Sequence, residues 1–106
     1  MRRRIKPYKK VDKIYLYLAD CITAMNVILS TESVDVVVTS PPYNIGVDYQ
    51  TYDDSLPREN YLRWIRDVCA AIRRILKPNG SFFLNIGTKP TIPSLSFEVA
   101  LCLESV

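Results

Sequence analysis

The run Val34-Asp35-Val36-Val37-Val38-Thr39 stops at Ser40 and then meets two consecutive prolines, Pro41 and Pro42. β-Branched residues crowd a helix and suit a pleated surface, so this run predicts a strand. Its near-continuous apolar character predicts a parallel strand buried on both faces. Proline fixes φ and removes the N–H, so the strand must end here and the chain beyond it is stiff. Neither proline donates a hydrogen bond, which leaves the local carbonyls to act as acceptors. Ser40 adds a hydroxyl and Tyr43 a flat ring. A rigid pair of acceptors beside an aromatic platform suits a planar ligand that carries an amino group. The plainer alternative is a proline-rich strand exit with a packed tyrosine.

The rest of the chain alternates around this feature. Ile14 to Leu18 is a short run of strand formers, and Thr23 to Leu29 places Ala24, Val27 and Ile28 at helical spacing. Ser40 to Ser55 is a long loop, of the kind that in compact domains is functional or mobile. Pro57 can open the next helix, where no intrahelical donor is needed. Tyr61, Leu62, Ile65, Val68, Cys69, Ile72, Ile75 and Leu76 then form one apolar stripe. Lys77-Pro78-Asn79-Gly80 reads as the helix stop, with Gly80 in a left-handed turn. Ser81 to Ile86 predicts a third strand. Ser94 to Leu103 predicts a last helix with Phe97, Leu101 and Ala100 turned inward. Alternating elements of this order predict an α/β fold with a parallel sheet, whose ligands lie beyond the carboxyl ends of the strands. Asp20-Cys21 and Ser40-Pro41-Pro42-Tyr43 fall at such ends.

Composition narrows the chemistry. Histidine is absent from the 106 residues, which removes Ser-His-Asp and Cys-His nucleophilic pairs and the histidine zinc motifs. Cys21, Cys69 and Cys102 are odd in number and widely spaced, which argues against a disulfide framework and against a metal site. No apolar run approaches the about 18 residues of a membrane span, and no signal core follows the basic start, so the chain reads as cytoplasmic. The formal net charge of +3 permits a polyanionic partner. Residues 1 to 13 read as a loose basic arm, either a solubilising tail or a phosphate-contacting arm. Residues 14 to 106 read as one domain.

Three blocks in order resemble the DNA amino-methyltransferases, whose signature is (Asp/Asn/Ser)-Pro-Pro-(Tyr/Phe). They are Tyr17-Leu18-Ala19-Asp20-Cys21, Ser33 through Tyr43, and Leu76-Lys77-Pro78-Asn79-Gly80 with the strand to Ile86. The resemblance implies a Rossmann-like fold dependent on S-adenosylmethionine, present here in part. It implies methyl transfer to the exocyclic amine of a base flipped out of double-stranded DNA. Tyr43 would stack on that base, and Ser40 and the Pro41 carbonyl would accept its amino hydrogens, with Pro42 completing the turn. Asp20 would contact the cofactor adenine, with Cys21 beside the ring; Asp20 also reads as a helix N-cap. Ser40 leans toward cytosine N4 over adenine N6. Ring-carbon methylation would need a Pro-Cys pair, which is absent.

Gly46, Gly80 and Gly87 are the only glycines, and none lies in the glycine-rich loop that holds the methionine part of the cofactor in the family. The expectation is therefore an amino-terminal fragment with unpaired strand edges that is marginally stable, aggregates, or depends on a second polypeptide that supplies the loop and the DNA-recognition region. Two other readings stay open. One is a methyltransferase of RNA or of a protein amide. The other is an inactive remnant that binds nucleic acid.

Overall fold

The computed structural model describes residues 5–104. Its elements are β1 (Lys9–Val11), β2 (Ile14–Leu16), α1 (Cys21–Ile28), β3 (Val34–Thr39), α2 (Arg58–Ile75), β4 (Leu76–Leu84) and α3 (Leu95–Glu104). This is a mixed α/β arrangement with one parallel strand pair, β3 and β4.

The apolar stripe predicted from the sequence builds the core. Tyr61, Ile65, Val68, Cys69, Ala71, Ile72 and Ile75 are buried along α2. Leu95 and Val99 of α3 close over that stripe, while Phe82, Leu84 and Ile86 approach it from the sheet side. Each fully buried side chain of this kind contributes about 1.5–3 kcal/mol over leaving it in water. All the buried apolar residues described belong to these two helices. The expected inward set of α3 is out of phase. Phe97 and Leu101 are 72% and 64% exposed and Ala100 is exposed, because the face toward α2 is the one carrying Leu95 and Val99.

The end of α2 differs from the expected glycine turn. Leu76 caps the helix in an extended conformation, and its N–H still reaches the Ile72 carbonyl. Pro78 then keeps Lys77 out of the helical region. The chain runs straight into β4, whose pairing with β3 jumps from Val34↔Leu76 to Val36↔Ser81. Lys77 to Gly80 is thus a bulge in the ladder. Gly80 is not left-handed; it is needed for closeness. A Cβ there would lie 2.8 Å from Leu76 Cδ1 and 3.0 Å from the Asp35 carbonyl oxygen. Lys77 Nζ meets Asp35 Oδ1 across the bulge at 2.9 Å. The amides of Glu32 and Ser33 bond the Arg74 and Ile75 carbonyls at 2.9 and 2.8 Å, satisfying the last turn of α2 as β3 begins. The Arg74 guanidinium donates to the Met25 and Leu29 carbonyls and to Thr31 Oγ1, which ties the end of α1 to α2.

Two expectations about the amino-terminal part change. Residues 1–4 of the expected arm lie outside the described residues. Lys9–Val11 is a strand, joined to β2 by a turn through Asp12 (φ 55°) and Lys13. β2 is shorter than Ile14–Leu18 and pairs antiparallel with β1; it does not join the parallel pair. β3 is also not buried on both faces. Val36 and Val38 are 55% and 75% exposed, and Phe83 of β4 is 59% exposed. The cause is the layering, since α2 and α3 cover one face only. The radius of gyration, 15.1 Å, reflects this open architecture; a compact domain of about 100 residues has about 13 Å. No helix among the described residues is long and apolar enough to cross a membrane.

Val38 pairs with Phe83 in the ladder, so both side chains stand on the open face. Replacing both with Thr should raise the monomer fraction several-fold in sedimentation velocity at tens of micromolar, with far-UV circular dichroism unchanged. Undiminished association would show that another surface drives it.

Candidate active site at the carboxyl end of the parallel pair

Ser40 follows the last residue of β3, and Asn85 follows the last residue of β4. The Asn85 N–H bonds the Thr39 carbonyl at 2.9 Å, so the ladder holds the two strand ends together one step beyond the strands. Ser40 Oγ and the Tyr43 hydroxyl are 3.0 Å apart. Asn85 Nδ2 donates to the Tyr43 hydroxyl at 3.2 Å and reaches Ser40 Oγ at 3.5 Å. Three polar side chains thus converge where ligands of parallel sheets sit. A serine hydroxyl has one proton and two lone pairs. With the proton directed to Tyr43, Ser40 Oγ keeps acceptor capacity for an incoming N–H.

The turn between Ser40 and Tyr43 is held from behind. The Tyr61 hydroxyl, on buried α2, donates to the Pro42 carbonyl. Burial, followed by the electrostatic effect of its neighbours, drives the Tyr61 hydroxyl pKa strongly upward, so it stays a proton donor. This corrects one expectation: the Pro42 carbonyl is not free. No hydrogen bond among the described residues engages the Pro41 carbonyl, which leaves it as the acceptor beside Ser40.

The loop after Tyr43 folds around a buried carboxylate. Asp54 is 3% exposed. It accepts from the amides of Asn44, Ile45 and Val47 at 3.0, 3.1 and 2.9 Å. Asn44 is left-handed (φ 60°), a conformation Asn tolerates better than most residues. Its side chain donates to the Leu56 carbonyl and accepts from the Leu56 N–H, both at 2.8 Å. Tyr52 packs at a tilt on Trp64, which packs on Tyr61. The loop is therefore a built structure and not a slack connection.

Tyr43 owes its ring position to Gly87. A Cβ at Gly87 would lie 2.8 and 2.9 Å from Tyr43 Cε2 and Cδ2, so the ring rests against bare backbone. Asn85, Gly87, Tyr61 and Asp54 all escaped assignment from the sequence. Only Gly87 had a visible signal, directly after the expected strand Ser81 to Ile86; Asn85, level with Ser40 in the observed register, lay inside that expected strand.

Asp20 and Cys21 stand apart, with no hydrogen bond among the described residues linking them to this cluster. Asp20 is the N-cap of α1, its Oδ2 accepting from the Thr23 N–H at 3.0 Å and from Thr23 Oγ1 at 3.1 Å. Beside it, Tyr17, Ala19, Cys21, Ala24, Met25 and Ile28 line a mostly apolar hollow of about 260 Å³. Desolvation of the sulfur, and then the Asp20 charge, raise the Cys21 pKa. Burial pushes Cys69 up to about 11. Neither thiol is poised as a nucleophile.

The sequence pattern of a family described as DNA methylase matches residues 34–103. The type II methyltransferase M.MjaVI of Methanocaldococcus jannaschii is 42% identical over 82 residues, covering 77% of this chain and 41% of that protein. The type II methyltransferase M.BglII of Bacillus subtilis is 46% identical over 84 residues, covering 77% of the chain and 21% of the relative. The DNA adenine methyltransferase YhdJ of Escherichia coli is 31% identical over 61 residues, covering 58% and 21%. The chain thus spans less than half the length of the curated relatives it matches.

Gly87→Ala should force the Tyr43 ring off its seat. The expected cost is about 1–3 kcal/mol in urea denaturation, together with shifted Tyr43 ring resonances. Gly46→Ala is the control. It meets no atom within 4 Å and is strained only by its φ of 86°, so it should leave the Tyr43 resonances in place. Unmoved Tyr43 signals in Gly87→Ala would remove Gly87 from the site.

Proposed function

The chain belongs to the DNA methylase family, and we propose that it carries the base-binding part of a methyltransferase acting on the exocyclic amine of a base flipped out of double-stranded DNA. The cluster of Ser40, Tyr43 and Asn85 at the carboxyl ends of the parallel pair carries this reading. An amine lone pair is delocalised into its ring, which makes it a poor nucleophile. Two fixed acceptors, Ser40 Oγ and the Pro41 carbonyl, would draw the amino hydrogens out of the ring plane. The lone pair then localises and points away from them. Tyr43 would stack on the base, while Asn85 fixes its hydroxyl and Gly87 its ring. Pro42 keeps the turn rigid, and Tyr61 anchors it through the Pro42 carbonyl. Catalysis on this reading is positioning plus electrostatics, since a direct displacement needs no covalent enzyme intermediate. The raised thiol pKa values and the lack of histidine are consistent with that.

S-Adenosylmethionine would supply the electrophilic methyl group when bound. The residues present fit its adenine end. The hollow lined by Tyr17, Ala19, Cys21 and Met25 has apolar walls for a flat ring, and Asp20 lies in the chain between two of its lining residues, capping α1. Its methionine end would need the glycine-rich loop, for which this sequence offers no candidate. We therefore assign residues 14–106 to part of a Rossmann-like catalytic domain, completed by a second polypeptide segment that brings the loop and the recognition region. The open face of Val36, Val38 and Phe83 supports that assignment.

Cytosine N4 is the favoured target, on the family resemblance of Ser40. Adenine N6 is the second reading, favoured by the similarity to the adenine methyltransferase YhdJ.

The test supplies the remainder of M.MjaVI as a separate polypeptide, with methyl-labelled cofactor and a panel of duplexes. Labelled N4-methylcytosine is the expected product, and N6-methyladenine would select the second reading. Ser40→Ala should lower kcat by about 100-fold, as for loss of one oriented partner of the reacting group. Tyr43→Ala should also weaken capture of a flipped base. Label in neither base, across the panel, would overturn the proposal.

A further inference from the structure

The first thirteen residues hold seven Lys or Arg against one Asp, a net charge of +6. The whole chain is +3, so the remaining 93 residues carry −3. The cationic character of this protein therefore sits in one short stretch, and its later part, from Lys9, forms a ribbon with the strand that follows; Arg2, Arg3 and Arg4 lie outside the described residues. β1 and β2 pair as Lys9↔Leu16, Lys10↔Tyr15 and Val11↔Ile14, and every one of these residues is exposed. Tyr8 closes the ribbon, its N–H bonding the Leu16 carbonyl at 2.7 Å. Lys13 stands in the turn and Lys6 just before the ribbon, both exposed.

A solubilising tail would need neither this order nor this composition. Paired residues share a face of a ribbon. Lys10 and Tyr15 share one face, where the ammonium lies 5.0 Å from the ring centroid and is held along it. Lys9, Val11, Ile14 and Leu16 share the other. Cations at 6, 9, 10 and 13 thus surround a thin two-stranded element on both faces and at its tip, with one acidic residue, Asp12, among them. A two-stranded ribbon is narrow enough to enter the major groove of a duplex. Lysines distributed around it would meet phosphates on both walls, and the small apolar face would lie against sugars.

We propose that the β1–β2 ribbon is a docking element for double-stranded DNA, holding the backbone through Lys6, Lys9, Lys10 and Lys13 without reading sequence. The choice of duplex DNA as occupant rests on charge complementarity and on the DNA reading above. No hydrogen bond among the described residues links the ribbon to Ser40, Tyr43 or Asn85, so on this proposal it contributes to affinity and not to the transfer step.

The test is fluorescence anisotropy of the full chain with a labelled 20-base-pair duplex from low to moderate salt. The wild type should give a linear fall of log affinity with log salt. Changing Lys9, Lys10 and Lys13 together to Gln should reduce that slope by about 2–3. Affinity at low salt should drop at least about tenfold. The corresponding Lys-to-Arg triple keeps the charge and should keep the slope, which separates loss of charge from loss of the ribbon. An unchanged slope in the Gln triple would overturn the proposal. So would salt-independent binding by the wild type, or an equal slope on single-stranded DNA with none on the duplex. Labelling of DNA in the transfer assay by a Gln triple with wild-type slope would sink the ribbon alone; a lysine-dependent slope with no methylated base would sink only the methylation reading.

Discussion

Burial of one face of α2 is the interaction from which the rest of this structure hangs. Its stripe from Tyr61 to Ile75 is closed on one side by Leu95 and Val99 and on the other by Phe82 and Leu84. α1 is attached to it through Arg74, and β3 begins on its last carbonyls. The parallel pair therefore has its position set by the helix that connects its strands. That matters for chemistry, because Ser40 and Asn85 come together only if β3 and β4 end level with each other. The bulge at Lys77 to Gly80 is what adjusts this register. Four residues of β4 are taken up opposite Asp35 alone, and from Val36 onward the two strands advance in step to Thr39 and Leu84.

The same helix reaches into the site. Tyr61 belongs to the core by its ring and to the Ser40–Tyr43 turn by its hydroxyl. Coupling of this kind is costly to remove, since a buried carbonyl or hydroxyl left without a partner loses about 1–3 kcal/mol. Asp54 works similarly from the far end of the loop, gathering three amides that would otherwise need water. Between them, the Tyr61 and Asp54 contacts fix both flanks of Pro42-Tyr43-Asn44. Positioning an amine against two acceptors tolerates little slack, as a displacement of about 1 Å in a near-attack geometry can cost about 100-fold in rate. A proline pair stiffens its own backbone but cannot orient it, and orientation is what the clasp adds.

How far the sequence could be read follows from the range of each interaction. The α2 stripe, the span of β3, the rigid exit at Ser40 and the Asp20 cap are local patterns, each set by residues within a turn or two. The parallel pairing was also legible, because strands joined by a long helix run the same way. What escaped was set by distant partners. The helical phase of α3 is decided by which side α2 occupies, so Phe97 and Leu101 look as eligible as Leu95 and Val99 until the packing is known. Gly80 resembles a helix-stopping glycine by position, yet the Asp35 carbonyl is what demands it. Asp54 carries no local signal within its loop. Its role depends on amides seven to ten residues back, a spacing that no short motif encodes.

The open face of the parallel pair is the remaining point of physics. A strand rich in valine signals burial on both sides, and the sequence of β3 carries that signal although only one side is covered. Val36, Val38 and Phe83 are the wrong residues for a permanently wetted surface, since two adjacent β-branched side chains and an aromatic ring expose a contiguous apolar area next to a free strand edge. Their identity is explained if the face is built for a complementary layer and the pair for further strands. The apolar hollow beside Asp20 and Cys21 belongs to the same logic, as an α1 with no buried residue is a helix with one side still to be covered. The described residues thus divide into a covered half, the α2 core with its clasped turn, and a half whose apolar side chains stand open on one face.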